Sequence, residues 1–175
     1  MNGDNLRVLY DEAAIARRVE ELAEELSKQV DSAWTLVSLM QGAMPFTTDL
    51  MRALAMRGVH PLLNCLWLES YRDARASSGQ VVVRADISRP IDGMPALIID
   101  DVFDSGRTIA YARAHLIAKG ASHAIACAFI RKPAAMNEPI EYVGFDAPDE
   151  FLVGYGMDVS GRYRGFPFVG VAETP

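Results

Sequence analysis

The sequence contains few cysteines, and this scarcity excludes a fold held together by disulfide bonds. Cys65 and Cys127 are the only two in 175 residues, whereas a disulfide framework needs several pairs. Both lie inside apolar runs, over residues 62–68 and 124–130, so we expect both to be buried free thiols. The three histidines show neither metal-ligand spacing nor a partner cysteine, which argues against a histidine metal site.

Long apolar runs and a basic balance of charge are also missing. No apolar run approaches the ~20 residues that a membrane span requires, and no charged N-terminal region precedes an apolar stretch and a cleavage site. We therefore expect a cytoplasmic protein that is not exported. With 17 Lys and Arg against 23 Asp and Glu, the formal net charge is −6, which argues against a sequence-independent grip on nucleic acid. The net charge does not exclude a local basic surface.

The hydrophobic pattern predicts one α/β domain over residues 1–175. Helical spacing from about Asp11 to Gln29 predicts an amphipathic helix. Strands are predicted to begin near the following residues: Trp34, Leu62, Val81, Ala96 and Ala124. The polar stretch 71–79 predicts a mobile loop that joins an antiparallel pair, 62–70 with 80–85. We expect a mostly parallel twisted sheet with helices on both faces and a small C-terminal hood, formed mainly by about 133–175.

The most informative stretch is 96–109, where an aliphatic strand leads into three carboxylates and a glycine turn. Its continuous apolar run is typical of a strand covered on both faces, and helical spacing follows the turn. Asp100, Asp101 and Asp104 therefore lie where a parallel strand ends. Ligands of open α/β sheets bind in the crevice beyond such ends.

The turn after these acids suits a phosphate monoester. It supplies backbone N–H groups at a helix N-terminus, two hydroxyls and a guanidinium, and its residues are Ser105, Gly106, Arg107 and Thr108. The acids would repel a phosphate unless they hold hydroxyls or a divalent metal, and oxygen ligands suit Mg²⁺ shared with substrate phosphates. A ligand that combines sugar hydroxyls, bound Mg²⁺ and a 5′-phosphate is a phosphorylated ribose.

Two other classes of protein also end a strand in paired acids. A P-loop NTPase needs a Gly-x-x-x-x-Gly-Lys-Ser/Thr loop, which this sequence does not contain. A phospho-acceptor domain would not need the turn at 104–108. The motif instead resembles, at every position, the signature with which type I phosphoribosyltransferases bind phosphoribosyl pyrophosphate (PRPP).

Other segments resemble one branch of that family. Residues 39–46 are similar to the pyrophosphate loop of the hypoxanthine-guanine phosphoribosyltransferases, and residues 142–158 are similar to their purine-binding hood. With 69–71, 130–133 and 162–164, the resemblance covers about residues 6–172. It implies the type I phosphoribosyltransferase fold, with a flexible lid loop at Ser70 and Tyr71.

The resemblance also implies roles for the acids. Asp104 would face the imidazole ring of the purine and exchange a proton there. Asp100 and Asp101 would engage ribose hydroxyls and Mg²⁺, with Asp158 as a further metal ligand. The 5′-phosphate loop would consist of Ser105, Gly106, Arg107 and Thr108. An Asp in the place of Asp158 also suits an ordinary turn.

For the base, the resemblance implies that Phe151 stacks on the purine, the carbonyl of Leu152 accepts from its nitrogens, and Lys132 donates to its exocyclic oxygen. A fixed ammonium donor there disfavours adenine, so the substrate would be a 6-oxopurine: hypoxanthine or guanine are expected, and the sequence does not rank hypoxanthine, guanine and xanthine. Without the resemblance, Phe151 and Leu152 would pass for core strand residues and Lys132 for a solvated cation.

For the leaving group, the resemblance implies that Gln41, Gly42 and Arg164 contact pyrophosphate. Gln41 departs from the family, because many members carry Lys there, and this puts the electrostatic part of pyrophosphate binding in doubt. The implied reaction is purine salvage: PRPP and a 6-oxopurine give IMP or GMP and pyrophosphate. Related enzymes are homodimers or homotetramers, so we expect an oligomer.

Two other functions are weighed against this one. A PRPP-sensing regulator of the same fold would bind RNA or a protein partner and would need a basic face. An adenine-specific or pyrimidine-specific transferase would lack the arrangement of Lys132, Phe151 and Leu152. The acidic balance and the intact hood favour the 6-oxopurine transferase.

Overall fold

The computed structural model of the chain describes residues 6–70 and 81–172. Tyr71 and the predicted mobile loop at 71–79 lie outside these residues. The helices are α1 (Glu12–Leu26), α2 (Met44–Ala55) and α3 (Arg107–Ala118), and a short 3₁₀ helix spans Pro133–Ala135. The strands are β1 (Leu6–Tyr10), β2 (Thr35–Met40), β3 (Leu62–Ser70), β4 (Val81–Ala85), β5 (Ala96–Phe103), β6 (Ala124–Arg131), β7 (Tyr142–Asp146), β8 (Leu152–Val153) and β9 (Val169–Ala172).

Six strands form the main sheet, in the order β4-β3-β2-β5-β6-β7. Its pairs are parallel except for β3 with β4, which is antiparallel as predicted. Thr35 of β2 lies opposite Ala96 of β5, and Ala96 lies opposite Ala124 of β6. Because these three strands start in register, their carboxyl ends open at the same end of the sheet, where the acids of the motif lie.

A second, three-stranded antiparallel sheet forms the hood, in the order β1-β9-β8. β1 comes from the start of the chain and was not predicted. Arg7 of β1 forms an ion pair with Glu150, and the Tyr10 hydroxyl donates to the carbonyl of Asp146 at 2.8 Å. These contacts attach β1 to the segment that precedes β8.

α1 forms where the sequence predicts it, although it is shorter at its C-terminal end. Asp11 caps it, since its side chain accepts from the Ala14 N–H at 2.7 Å. Its buried stripe contains Ile15, Val19, Leu22, Ala23 and Leu26, at the spacing of one helical face. Among the described residues, no helix is both long and apolar enough to cross a lipid bilayer.

The core on the α1–α2 face of the main sheet centres on Phe129, which is fully buried. Its ring centroid lies 5.1 Å from that of Phe46 on α2, 5.5 Å from that of Phe145 on β7 and 4.7 Å from that of Tyr155 in the hood. This aromatic cluster therefore joins helix, sheet and hood. A second core lies under α3 on the opposite face.

The two cysteines have different surroundings. Cys127 is buried, as predicted, but the prediction for Cys65 was wrong because this residue is exposed. Leu63, Cys65 and Trp67 alternate along β3 and face the α1–α2 side, since Leu63 pairs in register with Leu36 of that core. α1 and α2 leave this face of β3 uncovered, so Leu63 is 38% and Trp67 41% exposed.

The position of Phe129 gives a stability prediction. Phe129→Ala removes a buried ring that contacts three elements, and we expect the free energy of unfolding to fall by about 3–5 kcal/mol, measured by urea denaturation. Phe151→Ala is the matched control, because Phe151 is 58% exposed and its loss should cost at most about 0.5 kcal/mol. Equal losses in the two variants would contradict this assignment of the core.

Candidate functional site

Two adjacent carboxylates form the floor of the site at the end of β5. Asp100 is 6% exposed, and the Asp101 N–H donates to its Oδ1 at 3.1 Å. Burial, together with the neighbouring Asp101 carboxylate, raises the pKa of Asp100 well above its usual range. Burial also raises the pKa of Asp101, while the charge of Arg164 acts in the opposite direction. Such a pair favours ligands that bring hydroxyl donors or a cation.

The turn after β5 has a backbone conformation that could bind an anion. Gly106 has φ +72°, a left-handed conformation that suits glycine, and α3 begins at the next residue, Arg107. The first N–H groups of a helix have no partner within the helix, so α3 begins with donors that a ligand could use. Asp104 and Ser105 precede this turn and are exposed.

A second loop, between β2 and α2, lies directly against the acids. A Cβ at Gly42 would lie 1.8 Å from Oδ2 of Asp101, so the backbone of this loop occupies space that a side chain would need. The preceding residue, Gln41, is exposed, and the Met40–Gln41 peptide bond is cis. A side chain at position 42 would therefore require the Asp101 carboxylate to move.

Lys132 joins β6 to the hood. It is 9% exposed, and its Nζ donates to the carbonyl of Pro148 at 3.2 Å and to that of Glu150. These contacts hold the turn before Phe151 against the end of β6. The Phe151 ring is 58% exposed and Leu152 is buried, so the ring offers a stacking surface beside an ammonium group.

Asp158 and Arg164 form an ion pair in the hood. Nη2 of Arg164 lies 2.6 Å from Oδ1 of Asp158, and Nη1 donates to the carbonyl of Gly156 at 2.6 Å. The second carboxylate oxygen of Asp158 accepts from the Gly161 N–H at 2.6 Å. These two residues, predicted as metal ligand and pyrophosphate contact, bind each other in this structure.

Two adjoining cavities bring most of the predicted residues together. One of about 540 Å³ is lined by Asp101, Asp104, Lys132, Phe151, Leu152 and Asp158, among others. The other, of about 190 Å³, is lined by Gly42, Asp100, Asp101 and Thr108, among others. Asp101 and Val102 line both. The site thus has a larger chamber and a smaller chamber that meet near the end of β5.

The remaining predicted residues lie around these cavities, except Tyr71, which is outside the described residues. Ser105 and Gly106 directly precede α3, Arg107 is its first residue, and Arg164 lines a separate cavity between α1, α2 and the hood. Ser70 ends β3.

The sequence did not predict Asp149 and Met157, which line the larger cavity. It also did not predict Tyr155, whose hydroxyl donates a hydrogen bond to Asp49 of α2. Nothing in their residue types or spacing distinguishes them from ordinary loop and core residues.

The metal-binding capacity of the site is limited to what the acids supply. Within residues 6–70 and 81–172, no three His, Cys, Asp or Glu side chains come together as a metal site. Mg²⁺ is commonly bound in proteins through one or two carboxylates, with substrate phosphates and water completing the shell. Asp100 and Asp101 are donors of that kind.

A model of the phosphoribosyl transferase domain matches residues 6–160. The chain belongs to this family. The hypoxanthine-guanine phosphoribosyltransferase of Mycobacterium bovis is 35% identical over 180 residues, which cover 98% of this chain and 88% of the relative. The hypoxanthine phosphoribosyltransferase of Trypanosoma cruzi, solved in complex with the product IMP, is similar in structure, with a TM-score of 0.87 at 25% sequence identity. The match covers 99% of this phosphoribosyl transferase chain and 97% of the Trypanosoma cruzi chain.

Another relative is longer than this chain. The bifunctional protein TilS/HprT of Listeria innocua is 34% identical over 176 residues, which cover 99% of this chain and 27% of that protein. The chain therefore spans about a quarter of the length of this relative. Together with the sheet order, these likenesses confirm the predicted type I phosphoribosyltransferase fold and the predicted family.

The contact between hood and loop gives a prediction. Gly156 has φ +102°, and a Cβ there would lie 1.8 Å from the carbonyl oxygen of Gly42. We expect Gly156→Ala to lower the free energy of unfolding by about 1–3 kcal/mol, measured by urea denaturation. Gly165→Ala is the control, because nothing lies within 4 Å of its added Cβ. A harmless Gly156→Ala would show that the loop and hood are not in fixed contact.

Proposed function

We propose that this chain transfers the 5-phosphoribosyl group of PRPP to hypoxanthine or guanine, which gives IMP or GMP and pyrophosphate in purine salvage. The observation that carries the proposal is the meeting of two chambers at Asp101. One chamber has the acids and the glycine loop that a phosphorylated ribose needs, and the other has an ammonium beside an exposed aromatic ring. The names of the relatives support the same reaction.

The base chamber suits a 6-oxopurine. Lys132 has two of its three donors on hood carbonyls, and the third would donate to the exocyclic oxygen of the purine. Adenine presents an amino group there and would leave buried donors unpaired, at a cost of about 1–3 kcal/mol. Phe151 would stack on the base, and the carbonyl of Leu152 would accept from its nitrogens.

The reaction we propose is a displacement at the anomeric carbon of the ribose. The bond to pyrophosphate breaks while a purine ring nitrogen bonds to that carbon, and Asp104 exchanges a proton with the imidazole ring. The carboxylates of Asp100 and Asp101 would hold the ribose hydroxyls and favour positive charge on the sugar. The turn Ser105, Gly106, Arg107 and Thr108 would bind the 5′-phosphate.

The same acids would hold Mg²⁺. Asp100 and Asp101 fit as oxygen ligands, and Asp158 would join them from the hood after its ion pair with Arg164 opens. When bound, the ion would neutralise charge on the leaving pyrophosphate. Gln41 and Gly42 would contact pyrophosphate through the loop backbone, and Arg164 would supply positive charge that Gln41 lacks. Ser70 and Tyr71 would belong to a lid that excludes water.

The test is nucleotide formation from PRPP and MgCl₂ with hypoxanthine, guanine, xanthine and adenine offered separately. We expect product with hypoxanthine or guanine and little or none with adenine. Asp104→Asn should lower turnover by about 10²–10⁴ with the fold unchanged by circular dichroism, whereas Asp92→Asn, at an Asp outside the site, should leave it unchanged. No product from any base, with PRPP still bound, would favour the PRPP-sensing regulator.

We further propose that the chain assembles with copies of itself, as a homodimer or homotetramer, through the outer face of β3. Leu63, Cys65 and Trp67 form an exposed apolar stripe there. A second copy would remove this surface from water.

A charged residue placed in the apolar stripe tests whether this face is the interface between copies of the chain. We expect Trp67→Glu to shift the protein towards monomer in sedimentation velocity, because a carboxylate in an apolar interface loses its hydration. Ile117→Glu is the matched control, since Ile117 is 48% exposed on α3, on the opposite face of the sheet. A monomeric wild type, or a Trp67→Glu variant with unchanged assembly, would contradict this interface.

A further inference from the structure

A hydrogen bond ties the hood to the helix that follows the pyrophosphate loop. The Tyr155 hydroxyl donates to Oδ2 of Asp49 at 2.8 Å. Tyr155 is 5% exposed and its ring packs against Phe129. Burial, together with the Asp49 carboxylate, raises the pKa of Tyr155, so the hydroxyl keeps its proton. The bond therefore joins two elements that are far apart in sequence through a buried donor.

The residue after Tyr155 lies on the loop itself. Gly156 is so close to the Gly42 carbonyl that it has no room for a Cβ, and Gly42 has the same relation to the Asp101 carboxylate. Three layers therefore stack without side chains between them: the β5 acid, the loop backbone and the hood backbone. A small shift of the hood would change the place of Gly42 over Asp101.

The same hood segment carries the groups proposed above to meet pyrophosphate and Mg²⁺. Arg164 donates to the carbonyl of Gly156 and pairs with Asp158. Met157 and Asp158 also line the larger cavity, but the turn before Phe151 is held by its own bonds, from Lys132 to Pro148 and Glu150. Loss of the bond to Asp49 should therefore disturb the pyrophosphate contacts more than the contacts to the base.

We propose that Tyr155 and Asp49 are positioning residues for the pyrophosphate half of the site. Their bond holds the hood segment 156–158, and Arg164 bound to it, at a fixed separation from the Gly42 loop. The inference rests on the proposed function, because it concerns the binding of PRPP and pyrophosphate in that reaction. Neither residue touches substrate in this role.

The variant that isolates the bond is Tyr155→Phe, which keeps the ring in the core. One intramolecular hydrogen bond corresponds to a factor of about 5–10 in an equilibrium, so we expect the KM for PRPP to rise about 5-fold to 10-fold. The KM for the base should stay within about 2-fold, and this split separates lost positioning from general loosening. An equal rise in both values, or no rise, would overturn the inference.

Two controls sharpen the comparison. Tyr142→Phe removes a hydroxyl that donates to Oε1 of Gln29 at 2.9 Å, away from the site, and should change neither KM. Asp49→Asn keeps an oxygen that can accept from Tyr155, so it should restore most of the PRPP affinity that Asp49→Ala loses. If Asp49→Asn is as poor as Asp49→Ala, the hydrogen bond is not the cause and the inference fails.

A binding measurement keeps this inference separate from the proposed reaction. Titration of pyrophosphate in MgCl₂ by calorimetry needs no turnover, and Tyr155→Phe should raise the Kd about 5-fold to 10-fold relative to the wild type. An unchanged Kd overturns the positioning role. A wild type that makes no nucleotide from any base would overturn the proposed function, while a weaker pyrophosphate Kd in Tyr155→Phe would still support the role of the bond.

Discussion

Two neighbouring carboxylates near the end of β5, of which Asp100 is buried, constrain which ligands and which backbone segments can lie beside them. Like charges in a poorly hydrated place oppose each other's ionisation, and burial raises the pKa of both Asp100 and Asp101. The nearby guanidinium of Arg164 favours ionisation of Asp101. A ligand that brings hydroxyl groups or a cation relieves the same repulsion, so the pair suits the sugar hydroxyls and the metal ion proposed for this site.

Close contact between three backbone segments is the second feature of the structure near Asp101. Gly42 lies on Asp101 and Gly156 lies on Gly42, with no room for a Cβ at either position. Side chains there would separate the layers and move loop amides away from the carboxylates. The glycines therefore allow β5, the loop after β2 and the hood to reach one point, although each belongs to a different part of the chain.

The local parts of this structure could be predicted from the sequence, because they depend on neighbouring residues. The apolar run before Asp100 predicts β5, and the spacing of residues after Asp11 predicts α1. The pairing of β1 with β9 joins the two ends of the described chain, and no local pattern specifies such a contact. Cys65 was mispredicted for a related reason: its apolar run suggests burial on both faces, but only the tertiary arrangement decides how far α1 and α2 extend.

The candidate site divides in the same way. Motifs supplied most of its residues, whereas their assignment to two chambers depends on the fold. The larger chamber is bordered by Lys132, which is held on hood carbonyls, and the smaller chamber is bordered by Gly42 and Thr108. Asp101 lines both chambers. Because the supports are separate, a change around Phe151 should alter the larger chamber alone, whereas a change at Asp101 should affect both chambers together.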